Sequence, residues 1–178
     1  MSKYDGTKTF DNLQEAFAGE SMARNKYTYF SKVAGKEGYH QIENIFLETA
    51  NNEKEHAKLW FKELEGIGDT VANLTEAAKG EHFETSEMYP RMAKEAKEEG
   101  FNELAIMFEM VGKVEAAHEK RYRKLLERVE KQTVFTGEAP DGWKCGNCGY
   151  IHMGETAPEI CPACKHPKSY FERKAYNY

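Results

Sequence analysis

No cysteine occurs before residue 145, and between Thr9 and Arg128 there is a single proline, Pro90. The first absence excludes a disulfide framework over most of the chain. The second leaves long helices unbroken, because proline removes a backbone donor and clashes with the preceding turn. No apolar run approaches the roughly 20 residues that cross a bilayer. The polar start, MSKYDGTKTFDNLQ, lacks the apolar core of a secretory signal, so a cytoplasmic protein without a membrane partner is expected. Clustered Lys/Arg is also missing, and the net charge is −5. Nucleic acid is therefore not an expected partner.

What is present fits a soluble, largely helical chain. Charged residues make up 31% and hydrophobic residues 40% of 178 residues, enough for one sizeable domain and a small second one. Apolar residues recur at steps of three and four, as in Ile42, Ile45, Phe46 and Leu104, Met107, Phe108, Val111. The pattern predicts four helices, over about 9–35, 39–65, 81–98 and 101–130, with Gly38 and Gly100 at two short turns. Gly66–Gly80 reads as a longer connection that holds some helix of its own. A shift of 62 residues places Ala34 on Ala96, Gly38 on Gly100, Phe46 on Phe108, Glu53 on Glu115 and His56 on His118. Two copies of a helical hairpin joined by one longer crossover predict a four-helix bundle. After Glu130 the texture changes. Lys131–Pro140 reads as a flexible linker, and the Gly-, Pro-, Cys- and Tyr-rich remainder is too short to bury a useful core without a metal. The expected division is 1–135 and 136–178.

Two Glu-x-x-His motifs, Glu53–His56 and Glu115–His118, each direct a carboxylate and an imidazole to one helix face. The preceding helices offer Glu20, 33 residues before Glu53, and Glu84, 31 residues before Glu115, which suits antiparallel neighbours facing at one level. One Glu from each of two helices and Glu-x-x-His from the other two is the di-iron or di-manganese carboxylate pattern. Four carboxylates inside a bundle repel one another unless cations neutralise them, and oxygen plus imidazole donors suit iron or manganese. A lone Glu-x-x-His is usually solvated surface; six such residues in repeat-related places are not. Glu87, one turn after Glu84, has no counterpart at Ala23 and is expected to be a seventh ligand that exchanges with His56. Tyr27, beyond Glu20, is a candidate donor to a ligating carboxylate. His40, His82, His152 and His166 have no partners at ligand spacing and read as ordinary polar residues.

Cys145-x-x-Cys148 and Cys161-x-x-Cys164 form two thiolate knuckles around one tetrahedral metal. The spacing permits zinc or iron. A redox-active site on the same chain favours an electron-transfer iron.

These motifs together resemble the rubrerythrins over nearly the whole chain. The resemblance rests on Gly19-Glu20-Ser21-Met22-Ala23-Arg24, Glu53–His56, Glu84-Thr85-Ser86-Glu87-Met88-Tyr89-Pro90, Glu115–His118 and the rubredoxin-like tail with its short inter-cysteine spacer. It implies a ferritin-like di-iron bundle in which Glu53 and Glu115 bridge two irons. Glu20 and Glu84 are then terminal, His118 is fixed, and His56 and Glu87 alternate. It implies one iron on the four cysteines, reduction of hydrogen peroxide to water, an external reductase or small redox protein as electron donor, and a homodimer. Iron oxidation of the ferritin type and dioxygen reduction are the rival activities, and a bundle with a zinc ribbon is the non-catalytic alternative.

Overall fold

The computed structural model describes residues 3–137 and 142–175. The chain divides into two compact units, Met1–Asp69 and Thr70–Tyr178.

The first unit is a helical hairpin of α1 (Lys8–Lys36) and α2 (His40–Glu63). The Thr7 hydroxyl accepts from the Phe10 amide and caps the start of α1. Its end is a Schellman turn, with Gly38 at φ +85° and the Tyr39 amide donating to the Ala34 carbonyl at 2.9 Å. Small residues bring the helices close: Ser31 and Ala34 of α1 and Ala50 and Ala57 of α2 are buried. Phe17 stacks on Phe61 at 4.7 Å. Larger apolar side chains, among them Phe30, Val33, Ile42 and Ile45, stay exposed.

The second unit begins with α3 (Thr70–Phe83), so most of the expected Gly66–Gly80 connection is helix. Gly80 lies within α3, where a Cβ would meet open space, so it costs the helix only its intrinsic propensity of about 1 kcal/mol. A π-turn, Glu84–Met88, follows, and then α4 (Tyr89–Glu98) and α5 (Asn102–Glu130). The Tyr89 amide donates to the Glu84 carbonyl, five residues back, and Pro90 has no amide with which to continue the ladder. The α4–α5 turn repeats the first one, with Gly100 at φ +88° and the Phe101 amide on the Ala96 carbonyl at 2.8 Å.

The four-cysteine part is a three-stranded antiparallel sheet in the order β2 (Ile151–Met153), β1 (Gly142–Cys145), β3 (Phe171–Arg173). Trp143 pairs with His152 on one side and Arg173 on the other. Its core is Trp143, Cys145, Ala157, Cys161 and Phe171, flanked by Phe135 and Tyr150. The expected linker needs a correction here. Phe135 packs on that core and its carbonyl accepts from Ala157, while Gly137 donates to Glu155. The end of the expected linker is thus an ordered part of the small domain; residues 138–141 lie outside the described ones. Among the described residues no helix is long and apolar enough to cross a membrane.

Candidate metal centres

On α1 and α2, Glu20, Glu53 and His56 each place a ligand atom within 4.8 Å of the others. His56 Nδ1 stands 2.8 Å from Glu53 Oε2 and 3.9 Å from Glu20 Oε1. In the second unit, Glu81, Glu115 and His118 form the matching group. His118 Nδ1 stands 2.7 Å from Glu115 Oε2 and 3.6 Å from Glu81 Oε2. Closely similar distances in the same order make the two clusters structural repeats. All four carboxylates are half-buried.

Crowding has an electrostatic signature. Hydrogen bonding with Glu53, then burial, raises the Glu20 pKa above its ordinary value. Burial first, then hydrogen bonding with Glu115, raises that of Glu81, and Glu84 adds to the effect. One carboxyl of each pair thus holds its proton more tightly than a free carboxyl, the response expected of like charges held close. A divalent cation removes that repulsion. Two carboxylates and an imidazole are a hard donor set that fits iron or manganese.

The placement corrects the expected register on the third helix. Glu81, not Glu84, meets Glu115 and His118. Glu84 is half-buried one turn further on, close enough to raise the pKa of Tyr89 as well as that of Glu81. Glu87, the expected seventh ligand, is exposed and belongs to neither group. The cause is the π-turn, which holds one extra residue. Beyond it the repeat shift is 62, as Tyr27 on Tyr89 shows; before it the shift is 61, placing Gly19-Glu20 on Gly80-Glu81. That dipeptide match was the available signal. Tyr27 lies with its ring 6.1 Å from Phe46, and Tyr89 lies 6.2 Å from Phe108 in the same relation. No hydrogen bond from Tyr27 to a carboxylate is present among the described residues.

The four cysteines converge as the sequence requires. Sγ–Sγ distances of 3.7 Å separate Cys145 from Cys164 and Cys148 from Cys161. A tetrahedron with metal–sulfur bonds of ~2.3 Å has edges of about 3.8 Å, so these thiols already sit at ligating separation. Two equivalent turns bring them there. The Cys145 amide donates to Tyr150 and the Cys161 amide to His166, both at 2.8 Å, with Gly149 and Lys165 at positive φ. Cys145 and Cys161 are buried, Cys164 is half-buried and Cys148 is exposed. A backbone hydrogen bond at His166 leads the lowering of the Cys164 pKa to about 5. At Cys148 a backbone hydrogen bond at Tyr150 pulls downward, but Cys164, burial and the other thiols prevail and lift it to about 12. Such divergence is that of a negative charge shared among packed thiols, which a metal fixes on all four.

Comparison with known proteins gives the same division of labour. Residues 11–126 match the family model for rubrerythrin, and residues 143–172 match that for the rubrerythrin rubredoxin-like domain. The chain is 50% identical to rubrerythrin-1 of Clostridium acetobutylicum, with all of both chains covered. It is 46% identical to rubrerythrin of Nitratidesulfovibrio vulgaris, again with all of both covered. Among solved structures, mixed-valence nigerythrin is 33% identical with a TM-score of 0.36, covering 97% of this chain and 90% of that one.

Proposed function

The chain belongs to the rubrerythrin family, and on that premise we propose that it is a non-haem di-iron peroxidase that reduces hydrogen peroxide to water. Its cofactors are two irons in the helical part and one iron on Cys145, Cys148, Cys161 and Cys164. The observation that carries the reading is the pair of matching carboxylate–carboxylate–imidazole clusters on a chain that also holds a four-thiolate site. Two electrons and two protons convert one peroxide into two waters, and a pair of one-electron metals supplies the electrons.

In this reading Glu53 and Glu115 are each the central carboxylate ligand of their own cluster. Glu20 and His56 complete the donors of one iron, and Glu81 and His118 those of the other. Glu84, rather than Glu87, is the additional carboxylate that responds to a change of iron charge. The four-cysteine domain returns electrons one at a time from an external reductase or small redox protein. Its exposed Cys148 edge supports contact with such a donor. A homodimer is the proposed assembly.

Peroxide consumption by the iron-loaded protein, driven by a chemically reduced rubredoxin-type donor, tests the proposal. Wild type is expected to turn over, and Glu115→Gln to lose on the order of 100-fold or more. Equal rates in the two would overturn it.

A further inference from the structure

One feature of the second unit has no counterpart in the first. The Thr85 hydroxyl, within the π-turn, donates to the main-chain carbonyl of Gly112 on α5. At the repeat-related positions the first hairpin carries Ala23 or Arg24, for shifts of 62 and 61, and Ala50, with neither the hydroxyl nor the π-turn. Gly112 also lets Tyr89, four residues after Thr85, come close to α5: a Cβ there would stand 3.2 Å from that of Tyr89. The bond joins two short lever arms. Thr85 follows Glu84 directly, and Gly112 lies one helical turn before Glu115. A π-turn that relaxed to ordinary α geometry would rotate α3 by roughly a quarter turn relative to α4. Glu81 would then swing away from Glu115 and His118. Packing alone does not guard against this, because a groove of about 650 Å³ opens along Thr85, Tyr89, Pro90, Ala93, Gly112 and Ala116.

We propose that Thr85 is a positioning residue: its hydroxyl, bonded to the Gly112 carbonyl, holds the π-turn in the register that presents Glu81 and Glu84 to Glu115 and His118. It thereby sets the iron affinity of that cluster and not of the Glu20–Glu53–His56 cluster. The inference rests on the di-iron reading above.

Anaerobic Fe(II) titration of the full-length protein against a competing chelator, with the cysteine site filled beforehand, separates the two. Wild type is expected to bind two further Fe(II). Thr85→Val, close in shape but without the hydroxyl, is expected to weaken one binding step about fivefold to tenfold, the worth of one hydrogen bond. The other step stays within about twofold. Thr85→Ser, which keeps the hydroxyl, restores both. A wild type that takes up no pair of Fe(II) refutes the di-iron reading itself. Wild-type affinities in Thr85→Val, equal weakening of both steps, or a Thr85→Ser protein as weak as Thr85→Val overturn the role of Thr85.

Discussion

Replacing Glu81 by Gln acts in opposite directions on the metal-free and the iron-loaded protein, because this residue is both a source of repulsion and a ligand. In the metal-free state the ligand atoms of Glu81 and Glu115 lie within 4.8 Å. Two unit charges at that distance repel by about 1 to 3 kcal/mol for an effective dielectric between 80 and 20. Partial exposure and the neighbouring His118 favour the lower end, about 1 kcal/mol. The Glu81 pKa is raised above its ordinary 4.5, so this group contributes stability that is present below pH 4.5 and lost as pH rises through its folded value. At neutral pH, metal-free Glu81→Gln is therefore expected to melt about 2–4 °C above wild type. With iron the order reverses: the amide cannot neutralise a cation, and one Fe(II) site weakens on the order of 100-fold. Exposed Glu87 changed to Gln alters neither quantity. Calorimetry of metal-free and loaded forms, with iron stoichiometry, reads both signs. A metal-free Glu81→Gln protein less stable than wild type, or loss of iron from Glu87→Gln instead, refutes the reasoning.

Three further outcomes follow from the same geometry. Gly112→Ala sets about 1 kcal/mol of regained helix propensity against a Cβ 3.2 Å from that of Tyr89, and is expected to stay within about 1 kcal/mol of wild type in urea unfolding. Withdrawing the metal from the four cysteines is expected to change Trp143 fluorescence while leaving helical circular dichroism almost unaltered, since Trp143, Cys145 and Cys161 share one small core. Loss of helix in parallel would contradict this. Because the metal-free Cys148 thiol is held up to about 12, loading that site must expel its proton. The apparent affinity is then expected to climb with pH between 6 and 9, about tenfold per pH unit for each proton released, and a flat profile in a chelator competition would exclude it.

Much of the architecture was legible because it is written locally. Gly38 and Gly100 each sit at a left-handed helix end, and the two cysteine knuckles close through bonds spanning five residues. Glu53–His56 and Glu115–His118 share faces by helical periodicity alone. On the third helix a constant period has no place for an extra residue. The π-turn moves the repeat from 61 to 62, so extending the later shift backwards points past Glu81 to Glu84 and Glu87. Phe135 and Gly137 look like linker in the sequence because their partners, Ala157 and Glu155, are remote and leave no periodic trace. The start of α3 at Thr70 was obscured by Gly66, Gly68 and Gly80, of which only the last lies within the helix.

The most direct test of the central claim is an anaerobic titration of the fully reduced, iron-loaded protein with hydrogen peroxide, following the visible ferric–thiolate absorption. Rapid oxidation of the cysteine-bound iron in proportion to added peroxide, abolished in Glu53→Gln or Glu115→Gln, is the result the account predicts. A cysteine site that stays reduced under peroxide, or that oxidises as quickly in those variants, would contradict it.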